Sequence, residues 1–197
     1  ILAGPGIGTG EESVNLLRLI LENSGDKPVV IDADGLNIIS DEKNGIKKDH
    51  ICGRKGFTVL TPHVGELSRL TGIKVKELKE DLPGAAAKYA DENGICLVAK
   101  DAVTVVTDGY LSWLINSGNN GMATAGSGDV LAGIIAAFLG AANGHLPDAV
   151  LNAVYFHGMA GTACLENMSE DSVTAGDMIV SVQRVMKMIR DEQKENN

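Results

Sequence analysis

Aromatic residues are scarce, at 4% of 197 residues, and proline (5) and cysteine (3) are scarcer still in number. Few prolines and no triplet repeat exclude a collagen-like or proline-rich chain. Cys52, Cys96 and Cys164 are odd in number, far apart and without CxxC or zinc spacing, which excludes a disulfide framework and predicts a reduced, cytoplasmic setting. No apolar run reaches the ~18 residues of a membrane span. Basic residues are in deficit, 17 Lys+Arg against 26 Asp+Glu for a net −9. That balance disfavours nucleic acid and anionic membrane as partners, because both require a basic footprint. What is present is a globular mixture, 44% hydrophobic and 22% charged, with 24 glycines. A usual ~7% would give about 14 glycines. The surplus points to turns where backbone approaches a ligand.

The order of elements predicts an α/β domain with a mostly parallel sheet. Ile1-Leu2-Ala3 reads as the last part of a buried strand, with neither Met nor a signal peptide. The chain is therefore expected to enter a larger domain partway, and residues 1–197 to form most of one domain. Thr9 and Glu12 form a capping-box pattern for a helix to Asn23 with Val14, Leu17 and Leu21 on one face. Strands are expected at 28–32, 58–60 and 95–99, and a helix at 84–93 closed by Gly94. Asp108-Gly109 between apolar runs 103–107 and 110–115 predicts a two-residue hairpin. A polar, glycine-rich loop covers 116–126, and helices follow at 127–142, 147–167 and 175–193. Thr174 and Asp177 are positioned to cap the last helix, whose buried stripe is Met178, Val182, Val185 and Ile189.

The strongest local signal is Ala125-Gly126-Ser127-Gly128-Asp129 leading into Val130-Leu131-Ala132. A Gly-Ser-Gly turn before an apolar helix leaves backbone N–H groups free, and with the helix dipole they hold an anion, most naturally phosphate. A carboxylate beside such a site is electrostatically costly unless it has a task. Accepting a proton from a hydroxyl that attacks a phosphoryl group is that task. The competing reading is a plain helix cap.

The strand ends carry Gly4-Pro5-Gly6, Asp32 with Asp34, and His63 with Glu66. Ligands collect at such ends in parallel sheets. The three acids are candidate Mg²⁺ ligands, with Glu66 foremost; solvated loop acids are the alternative for at least one. Lys100, with Thr104 four residues on, is a candidate for nucleotide phosphate or an ordinary surface lysine. His157 beside Gly158 reads as a satisfied core histidine rather than a ligand, and Lys47-Lys48-Asp49 as a solvated face. There is no G-x-x-x-x-G-K-[ST], no complete G-x-G-x-x-G, no H-E-x-x-H and no G-x-S-x-G.

The loop running into Met122-Ala123-Thr124-Ala125-Gly126-Ser127-Gly128-Asp129-Val130-Leu131-Ala132-Gly133 is similar to the signature of ADP/ATP-dependent NAD(P)H-hydrate dehydratases of the ribokinase-like superfamily. The blocks Gly4 to Gly8, Asp32 to Asn37, Leu60 to Glu66 and Val154 to Gly158 resemble the family's other blocks in the same order. The resemblance implies a three-layer αβα sandwich that repairs hydrated NADH or NADPH, with ADP or ATP as co-substrate and Mg²⁺. It implies Asp129 as the base on the substrate hydroxyl and Ala125, Gly126, Ser127 and Gly128 as the anion hole. It places Lys100, Asp101, Ala102, Val103, Thr104 and Gly128 at the nucleotide, and Gly6, His63, Asn119 and Asp129 at the hydrated cofactor. A homo-oligomer and a functional partnership with an epimerase, sometimes fused upstream, are also implied. Two departures stand out: Lys100-Asp101 replaces the usual Lys-Gly, and Ala125-Gly126-Ser127-Gly128-Asp129 replaces Gly-Gly-Thr-Gly-Asp. A ribokinase-like kinase of a small vitamin-precursor alcohol and a nucleotide-binding module without turnover are the alternatives.

Overall fold

The computed structural model of the chain describes residues 1–46 and 48–195. The expected charged run at Lys47-Lys48 falls outside the described residues, save for the backbone of Lys48. Six strands form one sheet in chain order: β1 (Leu2–Ala3), β2 (Val29–Ile31), β3 (Thr58–Leu60), β4 (Cys96–Ala99), β5 (Thr104–Thr107) and β6 (Ser112–Ile115). β1 to β4 pair in parallel and β4, β5 and β6 antiparallel. Period-2 alternation sorts the central strands onto two cores. Val29, Ile31, Leu60 and Leu97 face one layer of helices, and Val30, Val59, Cys96 and Val98 face the other. This accounts for the continuous apolar runs, since strands covered on both faces need no polar side.

The first layer contains α1 (Glu11–Asn23), α2 (Asp34–Ser40), α3 (Lys48–Cys52), α4 (Val64–Thr71), α5 (Val75–Glu80) and α6 (Leu82–Asn93). Leu17, Leu36, Leu67, Leu78 and Ala86 bury their side chains there. The second layer is α7 (Ser127–Ala141) and α8 (Leu146–Cys164), with Leu131, Ile135, Val150 and Ala153 against the sheet. α9 (Ala175–Glu195) packs outside them through Val185 against Phe156 and Ala160. The expected three-layer arrangement is present.

Several boundaries differ from expectation for identifiable reasons. α1 has Gly10 as its N-cap, with no side-chain cap, because the glycine-rich loop stays extended to Gly10 (ψ 171°) and leaves Thr9 outside the turn. α6 starts at Leu82, where Asp81 Oδ1 accepts the Gly84 N–H at 2.9 Å and Pro83 suits the first turn. The hairpin loop is four residues long, not two, because Asp108 Oδ1 accepts the N–H groups of Tyr110 and Leu111 and closes a wider turn. The α9 cap is as expected: Thr174 donates to Asp177 Oδ2, and the Asp177 N–H returns to Thr174 Oγ1.

Candidate functional site

The carboxyl ends of β1 to β4 converge on one rim of the sheet. Gly4 (φ 128°) approaches β2 so closely that a Cβ would lie 1.8 Å from the Asp32 carbonyl oxygen. Gly6 and Gly8 also take left-handed conformations, and the Gly8 N–H donates to Asp34 Oδ2 at 2.9 Å. Ala33 has φ 49°, the only positive φ outside glycine among the described residues. Such a value marks backbone strain at the strand end. It sets Asp32 inward, 1% exposed, and turns Asp34 into the start of α2.

At the end of β3, His63 is the N-cap of α4. Its Nδ1 accepts from Gly65 N at 3.0 Å and Glu66 N at 3.3 Å, while Glu66 Oε2 accepts the His63 N–H at 2.8 Å. This reciprocal cap makes Nδ1 the ring's acceptor and leaves Nε2 facing away from the two capped N–H groups. Lys100 follows β4 and bridges to His63 in the sheet, with its N–H on the Pro62 carbonyl at 2.8 Å. Its Nζ reaches back across β3 to Asp32 Oδ1 at 2.8 Å.

α7 begins over these ends. Gly126 (φ 85°) supplies the left-handed turn at its N-cap. The N–H groups of Gly128 and Asp129 have no protein partner among the described residues. Four such donors are left over at any helix start, and together with the dipole they attract an anion. A Cβ on Gly128 would lie 3.3 Å from Lys100 Nζ, so the ammonium sits directly beneath this turn. Asp129 is exposed in the same turn.

A cavity of about 700 Å³ opens beside the turn. Lys100, Asp101, Ala102, Thr104, His63, Asn119, Ser127 and Gly128 all contribute to its lining. Val103, Gly6, Glu66, Ala125, Gly126 and Asp129 do not. Lys100 is the only lysine or arginine in that lining among the described residues. Asn119 also tacks the polar loop onto α8, donating to the Gly161 carbonyl at 2.8 Å and accepting from Gly121 N at 2.9 Å. The expected acid cluster is dispersed into other tasks. Asp32 pairs with Lys100, Asp34 takes a backbone N–H, and Glu66 closes a cap. No group of three metal-ligating side chains occurs among the described residues.

His157 corrects an expectation. It is buried in α8, 7% exposed, but it is not satisfied, because Nε2 lacks a hydrogen-bond partner. The other such atom among the described residues is Ser117 Oγ, and both residues line this cavity. Burial pushes the His157 pKa down to about 4; Lys100 acts in the same direction, and a backbone hydrogen bond with Ser127 opposes them. The imidazole is therefore neutral at pH 7. Its place at the cavity, and that of Ser117, was hidden in the sequence by an otherwise apolar helix and a polar loop.

The sequence profile described as NAD(P)H-hydrate dehydratase matches residues 1–184. The chain is 38% identical over 195 residues to the bifunctional NAD(P)H-hydrate repair enzyme of Thermofilum pendens, covering 98% of this chain and 36% of that protein. It is 38% identical over 167 residues to the ADP-dependent (S)-NAD(P)H-hydrate dehydratase of Neisseria meningitidis serogroup B, covering 84% of this chain and 55% of that protein. Among solved structures, the ADP/ATP-dependent NAD(P)H-hydrate dehydratase of Bacillus subtilis co-crystallized with ATP/Mg²⁺ superposes with a TM-score of 0.82 at 31% identity. That match covers 95% of this chain and 64% of the other. The chain thus spans about a third of the bifunctional relatives it matches and just under two thirds of the Bacillus structure.

Proposed function

Because the chain belongs to the NAD(P)H-hydrate dehydratase family, we propose that it restores hydrated NADH or NADPH to the working cofactor at the expense of ADP or ATP. The observation that carries this reading is the first turn of α7, with unpartnered N–H groups at Gly128 and Asp129 over the Lys100 ammonium. Donors and a cation held in place before reaction stabilise charge on a phosphoryl group in transit. Asp129, exposed at the same turn, takes the proton from the hydroxyl on the hydrated ring. The hydroxyl oxygen then bonds the terminal phosphorus of the nucleotide as the bridging P–O bond breaks, which releases AMP when ADP is the donor. The nitrogen lone pair of the ring then expels phosphate from the resulting ester as the carbon–oxygen bond breaks, and loss of a proton from the adjacent ring carbon to solvent restores the carbon–carbon double bond of the cofactor.

Ala125 and Gly126 complete the anion hole together with the Ser127 side chain, the Ser127 N–H being taken by the Thr124 carbonyl at 3.2 Å, and Asp101, Ala102, Val103 and Thr104 flank the nucleotide. His63, Gly6 and Asn119 face the hydrated nicotinamide side. Mg²⁺ would offset phosphate charge. The acids of the rim fit a protein cage poorly, being engaged with Lys100, Gly8 and His63. The ion would therefore be held chiefly by the phosphates, as is usual for this metal, with Glu66 the foremost protein candidate. A homo-oligomer, a cytoplasmic location and co-operation with an epimerase belong to the same reading. No helix among the described residues is long and apolar enough to cross a membrane. The test supplies hydrated NADH with Mg²⁺ and ADP, then ATP, and follows the return of NADH absorbance. No recovery with either nucleotide refutes the proposal.

A further inference from the structure

We propose that Asp32 is a positioning residue that holds the Lys100 ammonium beneath the first turn of α7, and so sets the preference for a nucleoside diphosphate over its monophosphate. This rests on the reading that a nucleotide occupies the cavity. The two residues lie 68 positions apart in the chain, at the ends of β2 and β4 with β3 between them, and meet at 2.8 Å. Asp32 is 1% exposed, and Lys100 is its only side-chain partner among the described residues. A carboxylate is costly to bury unless a charge answers it, so this pairing is specific rather than incidental.

The geometry around Gly128 gives the pair its function. From the place a Gly128 Cβ would occupy, Lys100 Nζ lies at 3.3 Å and Asp32 Oδ2 at 3.9 Å. A lysine ammonium has three donors on a flexible four-carbon stem. One donor is committed to Asp32, which fixes the stem and leaves two for the space under the free N–H groups of Gly128 and Asp129. Fixing a flexible cation before binding removes the ordering cost that a ligand would otherwise bear. Without Asp32, the ammonium is free to turn to Asp101, next in the chain, or to Asp129 itself. Either turn would remove the cation from the phosphoryl site, and the second would also engage the proposed base. The pair also displaces the expectation that Asp32 serves a metal, because its carboxylate is already answered by Lys100.

A monophosphate lacks the group that this cradle receives, so the ratio of ADP to AMP affinity reads the contact directly and without turnover. Calorimetry at fixed Mg²⁺ should show the native protein binding ADP tighter than AMP. Asp32→Asn should cut that ratio tenfold or more while the AMP Kd stays within threefold. Lys100→Met should cut it similarly, and the double variant should fall no further than Lys100→Met alone, because the two residues act as one unit. A native protein without the preference overturns the proposal. So does an Asp32→Asn variant that keeps the ratio or loses AMP affinity in proportion. Because Asp32 is buried, a second arm uses Asp32→Asn with Lys100→Gln, which removes both charges together. That protein should retain a native-like thermal midpoint with the ratio collapsed, and retention of the ratio overturns the proposal even if the single variant does not fold. A native protein that discriminates ADP from AMP yet never restores hydrated NADH refutes the dehydratase reading and leaves this one standing.

Discussion

In the proposed reaction, Asp129 and Gly128 divide the work of one turn, the first through its side chain and the second through lacking one. Replacing Asp129 by Asn keeps the shape and removes the proposed base. Turnover should fall by about 10²–10⁴-fold, the range of a general base, while calorimetry finds nucleotide affinity within threefold. Near-native turnover would refute the assignment. Gly4 is a second position where a hydrogen is needed in place of a methyl. Alanine there would set its Cβ 1.8 Å from the Asp32 carbonyl oxygen at φ 128°. Left-handed strain and overpacking together cost about 3 kcal/mol, and urea unfolding should show that loss. A change below about 1 kcal/mol would mean that β1 shifts freely against β2.

Elements differ in how much their own residues decide. α6 has its Asp81 cap, and Asp81→Ala should lower stability by about 1 kcal/mol without altering nucleotide binding. α8 behaves otherwise, because Gly158 is where the polar loop rests on it. A Cβ there would meet Ser117 Oγ at 2.1 Å. Gly158→Ala should therefore leave helical circular dichroism intact and weaken ADP binding in calorimetry; unchanged affinity would show the loop to be independent of α8. Sequence reading was informative at α7, α8 and α9, where apolar residues recur through several turns, and at α9 even the cap was legible. It did not anticipate α2, α3, α4 and α5, which are too short to display a full hydrophobic period. The His63 cap escaped because an imidazole is not among the usual capping side chains. The blocks from Gly4 to Asp129 stand out in the sequence as candidate site residues, but the Asp32–Lys100 pair does not. Such a pair exists only once β2, β3 and β4 lie side by side, and no local spacing announces it.

At the scale of the whole molecule, pH and ligand both read out the site. The unfolded chain takes up a proton at His157 near pH 6.5, whereas the folded chain resists it until about pH 4. The His157 contribution to stability is therefore full above pH 6.5 and is lost as pH falls toward 4, a change of about 3 kcal/mol. Between pH 6.5 and 4 the native protein should lose about 3 kcal/mol more stability than His157→Gln in denaturant unfolding; parallel curves would place the histidine in contact with water. ADP at about 100 times its Kd should add about 2.7 kcal/mol, or roughly 5–10 °C in thermal midpoint for a domain of this size. Lys100, the one lysine or arginine in the cavity lining among the described residues, has a kinetic consequence. A molecule of net charge −9 repels a nucleotide at long range, and only at close quarters does one cation reverse the sign. Raising ionic strength from about 0.01 to 0.15 M shortens the screening length from about 30 to 8 Å, which hides the repulsive surface while leaving the partly buried ammonium effective. In stopped-flow mixing, the ADP association rate should rise with added salt while dissociation changes little, so capture would be faster in a salted medium than in dilute buffer.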